Sequence, residues 1–98
     1  MLVQTFRLAA QQSRNRVAGN GLVGLFNFND PLAFELAEKM ALHSDPGFRA
    51  TAAWVIGRVY WREGAGLLRE LRRDKFEKVR INAERSILRI TRRYPGAA

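Results

Sequence analysis

Four positions recur three times down this chain in the same order, and any fold must accommodate that recurrence first. Asn15, Gly19, Val23 and Phe26 return 33 residues later as Phe48, Ala52, Ile56 and Val59, and after 31 more as Val79, Ala83, Ile87 and Ile90. An arginine follows the first position each time: Arg16, Arg49 and Arg80. The spacing within each set is four, four and three, which places its members on one face of an α-helix. Self-similarity with a period near 30 residues is the mark of a stack of like helical units sharing one core.

Turn chemistry between these sets predicts about six helices. The first spans roughly Leu2 to Gln12, and Ser13 is placed to cap a second that runs to about Phe28. Asp30-Pro31 caps and opens a third, to about Leu42, and Ser44-Asp45-Pro46 repeats the device for a fourth, to Trp61. Glu63-Gly64-Ala65-Gly66 reads as a loop, followed by a short fifth helix over 67–73. Asp74 is placed to cap a sixth, Lys75 to about Arg93, which stops before Pro95-Gly96. Asn20-Gly21 is a hairpin signal elsewhere. The helix is retained because Gly19 falls where Ala52 and Ala83 fall, a small-residue position at which two helices approach closely; Gly24 matches Gly57 in the same way. Ninety-eight residues make a single all-α domain, with unit starts near 14, 46 and 75 and a short tail at 94–98.

Two stretches carry a resemblance. Asp45-Pro-Gly-Phe-Arg49-Ala-Thr-Ala-Ala53-Trp-Val-Ile-Gly57 and Asp74-Lys-Phe-Glu-Lys-Val-Arg80-Ile-Asn-Ala83-Glu-Arg-Ser-Ile-Leu88 resemble the HEAT-repeat family, in its short bacterial form, over about residues 14–93. The resemblance implies an α-α solenoid of helical hairpins. In it, 14–28, 46–61 and 75–93 would be first helices of repeats, and 31–42 and 67–73 second helices. It also implies an Asp–Arg link between neighbouring repeats. Asp74 and Arg80 keep the family's spacing of six, Asp45 and Arg49 are four apart, and no aspartate precedes Arg16. Function is not implied, since such arrays serve many unrelated proteins.

Charge narrows the partners. Residues 1–57 carry five Lys/Arg against four Asp/Glu, and residues 58–98 carry twelve against five, so +7 of the net +8 lies in the second part. Fourteen of the seventeen cations are arginine, the side chain suited to bidentate pairing with carboxylate or phosphate. Projected onto the fourth and sixth helices, Trp54, Arg58 and Trp61 share a face away from the core, and Lys78, Arg85, Arg89 and Arg92 occupy the matching face. Tryptophan and arginine are enriched at binding hot spots, so these seven residues are the candidate partner-binding set. The competing reading puts one or both tryptophans in the groove between adjacent helices, with Arg58 lying over them. Ile81 and Leu88 lie well round the sixth helix from its core positions, which marks either ordinary exposure or a face awaiting another helix, from a longer array of which this chain is a piece or from a second copy docking end to end.

Nothing in the sequence forms a catalytic constellation. His43, the one histidine, lies at a helix end without a second His or any Cys to complete a metal site. Gly19-Asn20-Gly21 lacks the spacing of a phosphate cradle and the strand before it. No cofactor and no metal are expected, and no stretch approaches the length of a membrane span. The absence of cysteine suits a reducing, cytoplasmic setting. The expected function is therefore non-catalytic: a protein-interaction or scaffold module, or a fragment or adaptor segment of a larger assembly, whose unknown protein partner would present an acidic surface. The alternative is nucleic-acid binding through the cationic C-terminal helices, with Trp54 and Trp61 stacking on bases. A subunit of a bilin lyase is a third reading, on fold analogy alone.

Overall fold

Aspartate, proline and two left-handed turns set the helix boundaries. The computed structural model describes residues 2–11 and 14–96. Its helices are α1 (Leu2–Ala10), α2 (Asn15–Asn27), α3 (Leu32–Ala41), α4 (Pro46–Arg58), α5 (Ala65–Leu71) and α6 (Glu77–Arg93), with a 3-10 turn at Arg62–Gly64 where a loop was expected. No strand occurs among the described residues. The Asp45 carboxylate accepts the Gly47 N–H at 2.8 Å, the cap expected for α4. Asp30 Oδ1 accepts from the Leu32 N–H at 3.2 Å and Asp74 Oδ1 from the Phe76 N–H at 3.0 Å, so the same chemistry opens α3 and α6. The expected Ser13 cap lies outside the described residues; the residue flanking the start of α2 is Arg14.

Both α2 and α4 end in the same way. Asn29 and Tyr60 take positive φ, 54° and 53°. Behind them the Asp30 N–H reaches the Leu25 carbonyl and the Trp61 N–H the Ile56 carbonyl, each at 3.0 Å, the long bond of a Schellman turn. Asparagine tolerates this backbone; tyrosine rarely adopts it. The sequence therefore gave no warning that α4 stops at Arg58 rather than Trp61.

Among consecutive helices the fullest contacts are α1 with α2, α3 with α4 and α5 with α6, and α4 also lies against both α2 and α6. The residues before α2, α4 and α6 are Arg14, Asp45 and Phe76, so these three helices start 31 residues apart. The 33-residue offset expected for the first unit is therefore two residues too long. Of its four expected positions Gly19 is buried, Val23 and Phe26 are only half-buried and Asn15 lies at the rim, while the buried side chains of α2 are Ala18, Leu22 and Leu25. Glycine explains the slip: Gly19 and Gly21 both imitate a small core position, and neither has a side chain to fix the alignment. In the other two units Ala52, Ile56, Val79, Ala83 and Ile90 are buried as expected, with Phe48, Val59 and Ile87 half-buried beside them.

The close approaches expected at small residues are present. A side chain at Gly19 would collide with Thr51, one at Gly24 with the Phe6 ring, and one at Gly57 with Ser86. The α4–α6 contact is the tightest seam. Asn82 Nδ2 donates to the Ala50 carbonyl at 2.9 Å, Ser86 Oγ to Ala53, and Arg89 Nε to Gly57 at 3.2 Å. A helical carbonyl has a second lone pair after its i+4 bond. The small side chains of Ala50, Ala53 and Gly57 bring those lone pairs within reach of α6.

Two bidentate ion pairs join segments distant in sequence. Arg7 holds Asp30 at 2.7 and 3.0 Å, fixing α1 to the start of α3. Arg49 holds Asp74 at 2.7 and 3.2 Å and donates to the carbonyls of His43 and Ser44, both at 2.8 Å. Arg80 donates to the Asp74 backbone carbonyl at 2.8 Å, so the carboxylate six residues before it is engaged by Arg49 of the preceding unit.

Replacing Gly57 with valine forces a branched side chain into Ser86 and should lower stability by about 1–3 kcal/mol in urea unfolding. Hydrogen bonds from Arg7 and Arg49 are the main reason Asp30 and Asp74 titrate below their ordinary value of 3.8. The stability they contribute is complete above that value and is lost as pH falls through the lowered folded values. Melting temperature should thus hold between pH 7 and about 5 and drop in acid. The double substitution Asp30→Asn, Asp74→Asn should lower it at neutral pH and flatten the acid limb.

Candidate partner-binding groove

The outward faces of α2, α4 and α6 form one open surface centred on Trp54. Trp54 is 42% exposed, although it projects from a helix whose other faces are largely buried. Its ring edge covers Gly19, 3.9 Å from where a Cβ would stand, so the small residue of α2 lets the indole lie across the helix boundary. Two basins meet at this ring. One is lined by Arg16 and Asn15 of α2, Gly47, Ala50 and Thr51 of α4, and Lys78 of α6. The other is lined by Val23, Arg58, Arg85, Ser86 and Arg89. Asn20, Trp54 and Asn82 belong to both.

Electrostatically the surface is one-signed. Arg16, Arg58, Lys78, Arg85 and Arg89 line the two basins, and no aspartate or glutamate does. Arg16, Arg58, Lys78 and Arg85 are exposed and make no ion pair among the described residues. Arg89 is steadied by its bond to Gly57 and by Tyr60: its Nη2 donates to the Tyr60 hydroxyl at 3.0 Å, and its guanidinium carbon lies 4.8 Å from the ring centroid. Arg93 approaches the same ring at 5.1 Å. A Tyr60 held in a left-handed turn thus serves as a platform for two arginines.

Five of the seven residues expected from the sequence come together here: Trp54, Arg58, Lys78, Arg85 and Arg89. Trp61 does not. The left-handed turn at Tyr60 carries it off the face of α4 and into a three-ring cluster, 5.4 Å from both Phe26 and Phe34 between centroids. The expectation that Trp61 shares a face with Trp54 is corrected on that ground: Trp61 is half-buried against the two phenylalanines, whereas Trp54 is exposed. Arg92 is exposed one turn beyond Arg89 and lines neither basin. Arg16, Asn20, Val23 and Asn82 were missed. The 31-residue register places them directly, because Arg16 matches Lys78, Asn20 matches Asn82, and Val23 matches Trp54 and Arg85.

Elsewhere, His43 is engaged locally: its Nδ1 accepts from the Asp45 N–H at 2.9 Å and its ring stacks on Phe48 at 4.3 Å. The described residues contain no group of His, Cys, Asp and Glu able to hold a metal ion, and no helix long and apolar enough to cross a membrane. Compared with family models, curated proteins and solved structures, the chain finds no match.

Trp61→Ala removes a ring from a packed cluster and should cost about 2–4 kcal/mol of stability. Trp54→Ala should cost under about 1 kcal/mol. Urea unfolding of the two single variants, followed by circular dichroism, separates the roles.

Proposed function

We propose that this chain is a non-catalytic interaction module built from HEAT-like repeats in an α-α solenoid, and that its Trp54 groove docks an acidic surface of a protein partner. The solenoid reading draws support from the 31-residue recurrence of N-caps and from α4 lying between α2 and α6. The partner reading rests on one observation above all: an exposed tryptophan stands among five cations with no carboxylate in the lining. Arginine and tryptophan are the residues whose burial most often dominates protein interfaces. Cations left without internal partners are available to an incoming carboxylate, and steer it on approach.

Nucleic acid is the second reading, favoured by the same one-signed lining. It loses ground because strands bound without sequence preference rest on successive stacking platforms. With Trp61 packed against Phe26 and Phe34, Trp54 is the tryptophan that remains on this face.

Charge reversal tests the proposal. A fluorescein-labelled glutamate-rich peptide should bind at about 0.15 M salt, where surface charges farther apart than ~8 Å are screened. The double variant Arg58→Glu, Arg85→Glu should weaken it at least about tenfold, or 1.4 kcal/mol, with helicity unchanged. Tighter binding of a labelled oligothymidylate, abolished by the same reversal, would give the groove to nucleic acid instead.

A further inference from the structure

The groove is divided, and the division restricts what fits. On one side of Trp54 lie Arg16 and Lys78, beside the start of α4; on the other lie Arg58, Arg85 and Arg89, beside its end. Lys78 and Arg85 are seven residues apart on α6, hence about 10.5 Å along its axis. A ligand spanning the site therefore meets positive charge, then an indole face, then positive charge again.

The floor distinguishes a helical ligand from an extended one. A docked helix brings a satisfied backbone and needs a row of apolar pockets for its i, i+3, i+4 and i+7 anchors. Here the large apolar lining consists of Trp54 with Val17 and Val23, too little for such a row. An extended chain brings unpaired backbone N–H and C=O groups that need partners. Asn15, Asn20, Thr51 and Asn82 supply them; Asn82 commits its Nδ2 to Ala50, which holds the amide in place. In an extended segment, alternate side chains point the same way at about 6.6 Å intervals, twice the 3.3 Å rise per residue. Three consecutive same-side positions cover about 13 Å, which arginine and lysine arms accommodate around the 10.5 Å spacing.

We infer that the groove recognises an extended acidic segment of the form acid–x–apolar–x–acid, its central side chain, best an aromatic one, lying on Trp54 and its flanking carboxylates entering the two basins. This rests on the acidic-protein reading above and adds the order of groups along the ligand. Selectivity comes from Trp54, because a carboxylate there would face an indole and an apolar side chain in either basin would desolvate arginines without pairing them.

The experiment uses three labelled peptides of equal length and charge, followed by fluorescence anisotropy at about 0.15 M salt. The first contains glutamate, any residue, phenylalanine, any residue, glutamate. The second has alanine in place of the phenylalanine, and the third has both glutamates on one side of the phenylalanine. The first should bind wild type at least about tenfold more tightly than the others. Trp54→Ala should remove that preference while residual binding still responds to Arg58→Glu, Arg85→Glu, and Trp54→Phe should restore part of it. Equal binding of all three peptides overturns the ordered motif and leaves the acidic-partner reading standing. Binding of a single-stranded oligothymidylate with none of the peptides bound overturns both.

Discussion

Everything on the working surface depends on how closely α4 approaches its two neighbours. Helix axes draw together only where side chains are small, and α4 is small on both flanks: Ala50, Ala53 and Gly57 toward α6, and Gly19 of α2 facing Thr51 and Val55. On the α6 side the approach is near enough for Asn82, Ser86 and Arg89 to bond backbone carbonyls directly. Such bonds discriminate, because a buried Ser86 hydroxyl without a carbonyl would be an unpaired polar group. They fix the rotation of α6 about its own axis as well as its distance. Lys78 and Arg85 then project to the same side as Trp54, and Ile81 and Leu88 project away from α4 into solvent, 38% and 53% exposed.

The two ion pairs play a different part. Arg7–Asp30 and Arg49–Asp74 each connect a helix to the capped start of another, and each aspartate also accepts a backbone N–H at that start. One carboxylate thereby fixes a helix end and an inter-helix distance together. Asp74 serves Arg49 rather than Arg80 because the arginine of the preceding unit reaches it with a two-pronged fork, while Arg80 finds a backbone carbonyl. The pair is 25 residues apart, so the spacing of six between Asp74 and Arg80 marks the aspartate without marking the arginine that its carboxylate holds.

Helix content and the core of the second and third units were legible because Ala52, Ile56, Val79, Ala83 and Ile90 have side chains whose periodicity is unambiguous. The first unit was legible only to within two residues, since Gly19, Gly21 and Gly24 carry no side chain to register. That slip propagated to the candidate site. With it, Arg16, Asn20 and Val23, which line the two basins, are absent from the candidate set. Trp61 failed for a separate reason, the left-handed backbone of a tyrosine, which propensity does not anticipate. Lys78, Arg85 and Arg89 share one side of α6 because a long uninterrupted helix keeps its phase, while Arg92 lies a turn beyond and lines neither basin.

The remaining question is why so one-signed a face persists beside carboxylates that could neutralise it. Asp30 and Asp74 are committed to structural arginines, and Asp45 to the cap of α4. Five cations gathered along one surface repel each other, and that repulsion works against the folded state wherever the charges lie within a screening length. A stability argument alone would place a glutamate among them. On the proposed reading the missing carboxylate is the partner's. On that reading docking would relieve the repulsion that the free chain carries, so part of the binding energy would already be present in the unliganded surface, to be released only to a ligand that brings negative charge to both sides of Trp54.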